Sequence, residues 1–282
     1  MTAVAIGRNH CWGCGAGVDP PMANSMSCRL RARLLRAWGG LHIGEVIRRR
    51  ALRRTVLPIL HGGMHVLDAG CGRGDNALWI ARRYPGVAVY AVDIDSQLVE
   101  GVRRRVTEAM LVNVSVQQAN IETSSLVPHP SSLPYGIVWS VDVLEHVRDP
   151  ARALERLAVA LAGGGRLIVH VPRAKQRRWF RRFEHYEQHD HERDGFEPEE
   201  LAELVRAARL EVEEIRHTFG PPGALAWELF HLAQNVGKLA VLLTYPIPWF
   251  LAWVDGTITW KRGNGMLVVA RRINASGGAH TT

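Results

Sequence analysis

Residues 65–74 read His-Val-Leu-Asp-Ala-Gly-Cys-Gly-Arg-Gly and concentrate the chain's most specific chemistry. An apolar run ends at Asp68, and Gly70, Gly72 and Gly74 follow at alternate positions. Glycines so spaced make a turn whose backbone comes close to a ligand, an approach that a Cβ would block. The order G-x-G-x-G departs from the dinucleotide fingerprint G-x-G-x-x-G, because Asp75 stands where the last glycine belongs. A carboxylate at Asp68 repels a phosphate and attracts an ammonium group. The next apolar run, Val87-Ala-Val-Tyr-Ala-Val-Asp93, ends in a second carboxylate. It lies about twenty residues beyond the loop, where a carboxylate can accept both hydroxyls of a ribose. The ligand these residues describe is a nucleoside with a cationic tail.

Such a loop needs a strand before it and a helix after it, and the surrounding pattern supplies both. Apolar runs of strand length fall at about Met64–Ala69, Ala88–Asp93, Val114–Gln118, Ile137–Val141 and Leu167–Val171. Between them Asn76–Arg83, Ser96–Glu108 and Pro150–Leu161 have helical periodicity. Alternating strand and helix predicts a parallel sheet covered on both faces. A helix over Glu197–Ala208 and strands over about Val212–Thr218 and Met266–Arg271 complete the pattern. With 282 residues, 47% apolar and 22% charged, the chain can bury a core, which excludes disordered and collagenous classes.

These motifs resemble class I S-adenosylmethionine-dependent methyltransferases. Val66–Gly74 is similar to that family's first motif and Asp93-Ile-Asp95 to its second. Tyr135-Gly-Ile-Val-Trp-Ser-Val-Asp-Val-Leu-Glu-His146 resembles the fourth-strand motif of the ubiquinone- and menaquinone-methyltransferase-like subgroup. Arg148-Asp-Pro150 through Gly163-Gly-Gly-Arg-Leu-Ile-Val-His-Val-Pro172 resembles the helix and fifth strand that follow. The likeness covers about Leu57 to Arg209, with the last strand added. It implies an α/β, Rossmann-like seven-stranded sheet, mostly parallel, with an antiparallel last strand. N-terminal helices and a hydrophobic insertion before the last strand are added to that fold.

The resemblance implies S-adenosyl-L-methionine as cofactor and roles for the matching positions. Asp68 with Gly70, Gly72 and Gly74 would hold the methionine part. Asp93 would take the ribose hydroxyls, and Ile94 would pack on the adenine. Asn120 and Ile121 fall where the family faces the adenine amino group. Asn120 replaces the usual aspartate there, and its amide oxygen can still accept that hydrogen bond. Cys71, at a variable place in the turn, and Ser140, in the fourth-strand motif, are counted with the cofactor site; Cys71 is not read as a nucleophile. Gly136 replaces a common acidic residue.

The acceptor is expected beyond the carboxyl ends of strands four and five. Strand five is followed by Arg173-Ala-Lys-Gln-Arg-Arg-Trp-Phe-Arg-Arg182, with six basic and no acidic residues, and then by a His-rich stretch. The basic run is a solvated face or a phosphate holder at a pocket mouth. His191 and His189 are the candidates for a base or acceptor-orienting residue. His185, His189, His191 and Asp190 are metal-type donors at irregular spacing, and no metal site is assigned. His10-Cys-Trp-Gly-Cys14 with Cys28 lacks the second paired spacing of a zinc site.

Charge is unevenly spread. Between Arg29 and Arg54 stand nine arginines and one acid, Glu45, which accounts for the whole net charge of +8. Leu30, Leu34, Trp38, Ile43, Val46 and Ile47 recur there at helical spacing. A solvated face beside a core stripe, attraction to anionic lipid and nucleic-acid binding all stay open. Between the last two strands Leu239–Val254 carries no charge, and Pro246 and Pro248 interrupt it as a helix. It is read as an interfacial or re-entrant element, or as a lid or dimer contact.

The expected organisation is a flexible segment (1–28), a basic helical segment (29–60), a methyltransferase domain (61–219 and 265–273) and a hydrophobic insertion (220–264). The expected function is methyl transfer to a small-molecule or lipid-linked acceptor, one that is lipophilic and can bear a phosphate. An RNA methyltransferase and a non-catalytic membrane-bound scaffold are the alternatives, with nucleic acid disfavoured for want of a recognition module. Four cysteines and no signal-like start at Met1–Asn9 point to the cytoplasm, with peripheral contact at the inner face of the membrane through 29–54 and 239–254.

Overall fold

A computed structural model of the chain describes residues 42–124, 126, 134–183 and 192–273. Its first element is a helix, α1 (Ile43–Val56). Then come β1 (His65–Ala69), α2 (Asp75–Arg83), β2 (Ala88–Asp93), α3 (Ser96–Glu108) and β3 (Val114–Gln118). β4 (Tyr135–Val141), α4 (Pro150–Ala160), β5 (Leu161–Pro172), α5 (Pro198–Ala207) and β6 (Leu210–Thr218) follow. Three helices, α6 (Pro221–Val236), α7 (Lys238–Thr244) and α8 (Pro246–Asp255), precede β7 (Gly265–Arg272).

The seven strands form one sheet in the order β3-β2-β1-β4-β5-β7-β6. The first five pair in parallel, and β7 lies antiparallel between β5 and β6. The predicted fold class is therefore the observed one. The order reverses at β1, between β2 and β4, which opens a crevice beyond the carboxyl ends of those strands.

Alternation along each strand decides which helix it meets. Leu67, Val138, Leu167 and Val169 point to one face and pack with Leu154 and Leu157 of α4 and Leu201 and Val205 of α5. Val66, Ile137, Trp139 and Ile168 point to the other and pack with Leu52 and Val56 of α1 and Ala77 and Ile80 of α2. Each large apolar side chain so buried contributes roughly 1.5–3 kcal/mol. Local signals fix the helix starts. Asp95 accepts from the N–H groups of Gln97 and Leu98 to cap α3, and Asp149 caps α4 through Arg152 N–H.

β2, β3 and α3 occupy the predicted residues. β5 is longer than the predicted Leu167–Val171, because Leu161 already pairs with Tyr135 and the strand runs on past an irregularity at which Gly164 adopts φ 75°. β4 likewise begins at Tyr135 rather than Ile137, and α1 ends at Val56, short of the expected Leu60. A Cβ at Gly136, unexplained by sequence, would lie 2.7 Å from Met64 Cε, the tip of a side chain that can swing away, so packing does not account for the glycine. The interruption expected from Pro246 and Pro248 falls at Tyr245, between α7 and α8.

One buried carboxylate closes the three-helix insertion on itself. Asp255, at the end of α8, is 3% exposed and accepts from Gly223 N–H at the start of α6, where two prolines leave few N–H donors. Burial raises its pKa from 3.8 to about 6, against the pull of the N–H groups of Gly223, Gly220 and Phe219. The folded pKa exceeds the unfolded one. Its contribution to stability is thus complete below about pH 4 and lost as pH rises through about 6. Asp255→Asn removes this loss, by at most about 2–3 kcal/mol. Thermal melts at acidic and at mildly alkaline pH are expected to show the variant gaining on the wild type only at the higher pH.

Candidate active-site crevice

β1 ends at the switch point, and the turn after it is built from positive φ. Gly70, Gly72 and Gly74 have φ of 80°, 53° and 72°. The three do not do the same work. A Cβ at Gly70 would meet Val143 Cγ2 at 2.3 Å, and one at Gly74 would meet Val102 Cγ1 at 2.7 Å. Those two glycines let the turn pack on its own protein. A Cβ at Gly72 would meet nothing within 4 Å, so this position alone borders open space. Of the three glycines expected to approach a ligand, Gly72 has open space at its Cβ position, and Gly70 and Gly74 also answer to the packing of Val143 and Val102.

Carboxylates surround the turn. Asp93, at the end of β2, accepts from Gly72 N–H at 2.7 Å and from Asp95 N–H at 3.0 Å. Asp75 opens α2 and pairs with Arg105 at 2.7 Å and Arg49 at 3.8 Å. Among the described residues Asp68 has no cationic partner. It is 2% exposed, and its Oδ2 makes no hydrogen bond. Burial pushes its pKa up to about 7, and the nearby negative charges of Asp93 and Asp75 add to this. The Trp139 indole and the Ala77 N–H face it and pull the other way, although Trp139 Nε1 closes no bond of ordinary geometry. A half-protonated buried acid beside two further carboxylates is a socket for a cation.

The other cofactor candidates divide into exposed and enclosed groups. Ile94, next to Asp93, is 63% exposed, which leaves a large apolar surface free at the rim. Asn120 Oδ1 accepts from Glu122 N–H at 2.8 Å, so part of its accepting capacity holds a local turn. Ile121 is buried, and Ser140 is buried with its Oγ unpartnered. The Cys71 thiol is pushed well above its ordinary pKa by burial and by Asp68 and Asp93, which suits packing rather than attack.

A second polar cluster lies past β4 and β5, and sequence reasoning did not find it. Asp142 adopts φ 51° directly after β4. It accepts from Arg48 Nε at 3.0 Å and bonds His170 Nδ1 at 2.5 Å; His170 Nε2 bonds Thr218 Oγ1 at 2.9 Å. Burial would raise the Asp142 pKa, but Arg48 and His170 hold it down to about 2. Glu145, three residues on, is 1% exposed with Oε2 unpartnered. Burial and the charge on Asp142 push its pKa well above the usual carboxylate range, which favours the protonated form. Only the Asp-x-x-Glu-His spelling of the motif hinted at this pair. Arg48 and Thr218 come from distant chain.

The chain on either side of residues 184–191 is anchored near this cluster. Phe183 packs on Trp227 of α6 at 5.7 Å. Glu228 of α6, fully buried, accepts from the N–H groups of Trp179 and Phe180. On the far side Glu192 N–H donates to the Glu145 carbonyl at 3.0 Å. His185, His189, Asp190 and His191 themselves, like His10, Cys11, Cys14 and Cys28, lie outside the described residues. Among the described residues no group of three or more His, Cys, Asp or Glu is placed to hold a metal.

Comparison with known proteins locates this crevice within a family. The model of a family described as a methyltransferase domain matches residues 43–215. A trans-aconitate 2-methyltransferase of Paracidovorax citrulli is 31% identical over 117 residues, 42% of each chain. A ubiquinone biosynthesis O-methyltransferase of Coxiella burnetii is 31% identical over 106 residues, 38% of this chain and 42% of that one. The chain thus matches less than half the length of these curated relatives. Among solved structures, phosphoethanolamine N-methyltransferase 2 of Haemonchus contortus, with phosphomonomethylethanolamine and S-adenosylhomocysteine, aligns over 79% of this chain and 53% of that one. Its TM-score is 0.58 at 17% identity, a likeness of fold.

The two kinds of glycine separate by mutation. Gly70→Ala is expected to destabilise the fold by roughly 2–4 kcal/mol, from overpacking on Val143 added to backbone strain. Gly72→Ala is expected to cost only about 1 kcal/mol, from strain alone. Urea melts of both variants check the order; equal losses would contradict the open cradle at Gly72.

Proposed function

Because the chain belongs to the methyltransferase-domain family, we propose that it transfers a methyl group from S-adenosylmethionine to a lipophilic small-molecule acceptor. The observation that carries this reading is the buried Asp68 carboxylate, unpartnered at Oδ2, beside the open space at Gly72. A phosphate would be repelled there. An ammonium group would restore charge balance among Asp68, Asp75 and Asp93.

The bound sulfonium supplies an already activated methyl group. The chain's task is to bind, align and exclude water. We assign Asp68 to the ammonium of the methionine part and the Gly72 backbone to close approach. Asp93 takes the ribose hydroxyls; Gly72 N–H fixes its rotamer, and its oxygens keep accepting capacity. Ile94 offers its exposed side chain to the adenine face. Asn120 and Ile121 border the base, and Cys71 and Ser140 line the floor.

The acceptor belongs at the Asp142–Glu145 cluster, beyond β4 and β5. Glu145, pushed toward its protonated form by burial and by Asp142, can donate a hydrogen bond when protonated; Asp142, held ionised, fixes His170 and Arg48 and is too acidic to be a strong base. A base, where the acceptor needs one, is assigned to His189 or His191. Glu192, bonded to the Glu145 carbonyl, brings the chain next to His191 close to the end of β4, which supports that choice. The similar proteins named above, a trans-aconitate 2-methyltransferase and a ubiquinone biosynthesis O-methyltransferase, are named for small-molecule chemistry, which supports a small-molecule substrate. The apolar insertion beside the site supports a lipophilic one. Labelled S-adenosylmethionine incubated with lipid and polar extracts tests the reading. A compound heavier by about 14 Da, one CH₂, is expected from the lipid extract. Labelling confined to the polar extract would overturn the lipophilic assignment.

Binding supplies two sharper tests. Asp93→Ala is expected to weaken S-adenosylhomocysteine binding by roughly 10²-fold or more, since buried hydroxyls lose a charged acceptor. Asp68 binds an ammonium only when ionised, and its pKa in the free protein is about 7. Affinity should therefore fall as pH drops below 7, approaching tenfold per unit. Asp68→Asn should bind weakly at pH 8 and lose that slope. Calorimetry across pH reads both, and a wild-type slope unchanged by the substitution would remove Asp68 from the assignment.

A further inference from the structure

We propose that the outer face of α7 and α8 is a docking surface for an anionic lipid bilayer. The two helices follow Gly237, whose φ of 138° turns the chain out from α6. No residue of α7 is buried. Leu239, Leu242, Leu243, Ile247, Phe250 and Trp253 are all exposed, Leu243 to 71%. Steps of three and four residues place them on one stripe that continues across the break at Tyr245. A stripe of this kind normally faces a core. Among the described residues nothing covers it.

Length and charge select the occupant. The two helices together extend about 27 Å, and no helix described is long and apolar enough to cross a membrane. Their geometry suits lying in the interface with the stripe downward. Between Phe219 and Asn264 the acids are Glu228 and Asp255, and both are buried. The bases there, Lys238, Lys261 and Arg262, are all exposed. The exposed side chains of the insertion are thus cationic or neutral. Phe250 and Trp253 stack at 6.0 Å, and Arg50 of α1 lies over the Trp253 ring at 5.9 Å, with Arg54 exposed nearby. Aromatic rings at headgroup depth with cations beside them match a surface of apolar chains and anionic phosphates. A second copy of this chain, paired about a two-fold axis, would bring the same cations face to face.

This proposal does not depend on methyl transfer, and its test keeps the two apart. The full chain is mixed with phosphatidylcholine vesicles, with or without phosphatidylglycerol, and sedimented. Wild type is expected to partition onto the phosphatidylglycerol vesicles, less at high salt. The double variant Leu243→Glu, Phe250→Glu is expected to lose this binding by roughly tenfold or more. It should keep wild-type S-adenosylhomocysteine affinity and melting, which shows the fold and crevice intact. The arginines before residue 42 are unchanged in it, so sedimentation equal to wild type would assign the attraction to them and overturn the proposal. Wild type remaining in solution with both vesicles would overturn it too. So would a concentration-dependent dimer that the variant abolishes without any vesicle binding, which would assign the face to a second copy.

Discussion

The hydrogen bond from Gly72 N–H to Asp93 Oδ2, 2.7 Å long, joins the two ends of the crevice. It ties the turn after β1 to the end of β2 and so fixes the position of one carboxylate by the backbone of the other strand's loop. That backbone can offer its N–H only because Gly72 sits at φ 53°. Gly70 and Gly74 hold the turn on either side, packed against Val143 and Val102. The cost of this arrangement appears at Asp68. The same turn that exposes Gly72 encloses the neighbouring acid, denies it a cation, and raises its pKa to about 7. Strain and desolvation are thus stored where a ligand can release them.

Most of the sheet was legible because its signals are local. β2 and β3 are short β-branched runs closed by turns, and both match the sequence reading to the residue. The mostly parallel sheet followed from strand–helix alternation, and its antiparallel last strand from a family likeness. What was not legible depends on partners far apart in the chain. Arg48 was counted with a basic helix face, yet it holds Asp142, and Thr218 reads as the last residue of a strand, yet it holds His170. Glu228 and Asp255 look like solvent-facing acids on apolar helices. Each instead receives backbone N–H groups from another segment. Periodicity assigns a face to a residue, and it carries no information about which distant N–H will arrive there.

The excess positive charge shows the same limit. The sequence places +8 between Arg29 and Arg54 and suggests a free basic patch. In α1 three of these arginines are held by the core of the fold, Arg48 on Asp142, Arg49 near Asp75 and Arg53 over Trp79 at 3.8 Å, while Arg50 lies over the exposed Trp253 ring. A guanidinium stacked on an indole or bonded to a carboxylate still carries its charge, but its orientation is spent on the fold. The helix is therefore less a polyelectrolyte than a strap packed on one face of the sheet, with Arg48 reaching the end of β4. The charges available to an outside surface are those at its other edge, Arg50 and Arg54.

That division makes α1 the shared element of the two surfaces. Arg48 reaches Asp142 at the carboxyl end of β4, and Arg50, two residues on, reaches Trp253 on the outer face of α8. The helix between them is regular, and Ile43, Ile47 and Val56 anchor it in the interior. Two side chains so placed cannot move independently of the helix that carries them. Covering Trp253 with any apolar surface strengthens the Arg50 contact by removing water from it, and so adds to the free energy that holds α1 in place. Arg48 is held in place by that same helix. The Asp142–His170–Thr218 chain needs that guanidinium to keep Asp142 ionised. Asp142 and Trp253 are thus tied, through Arg48 and Arg50, to one regular helix.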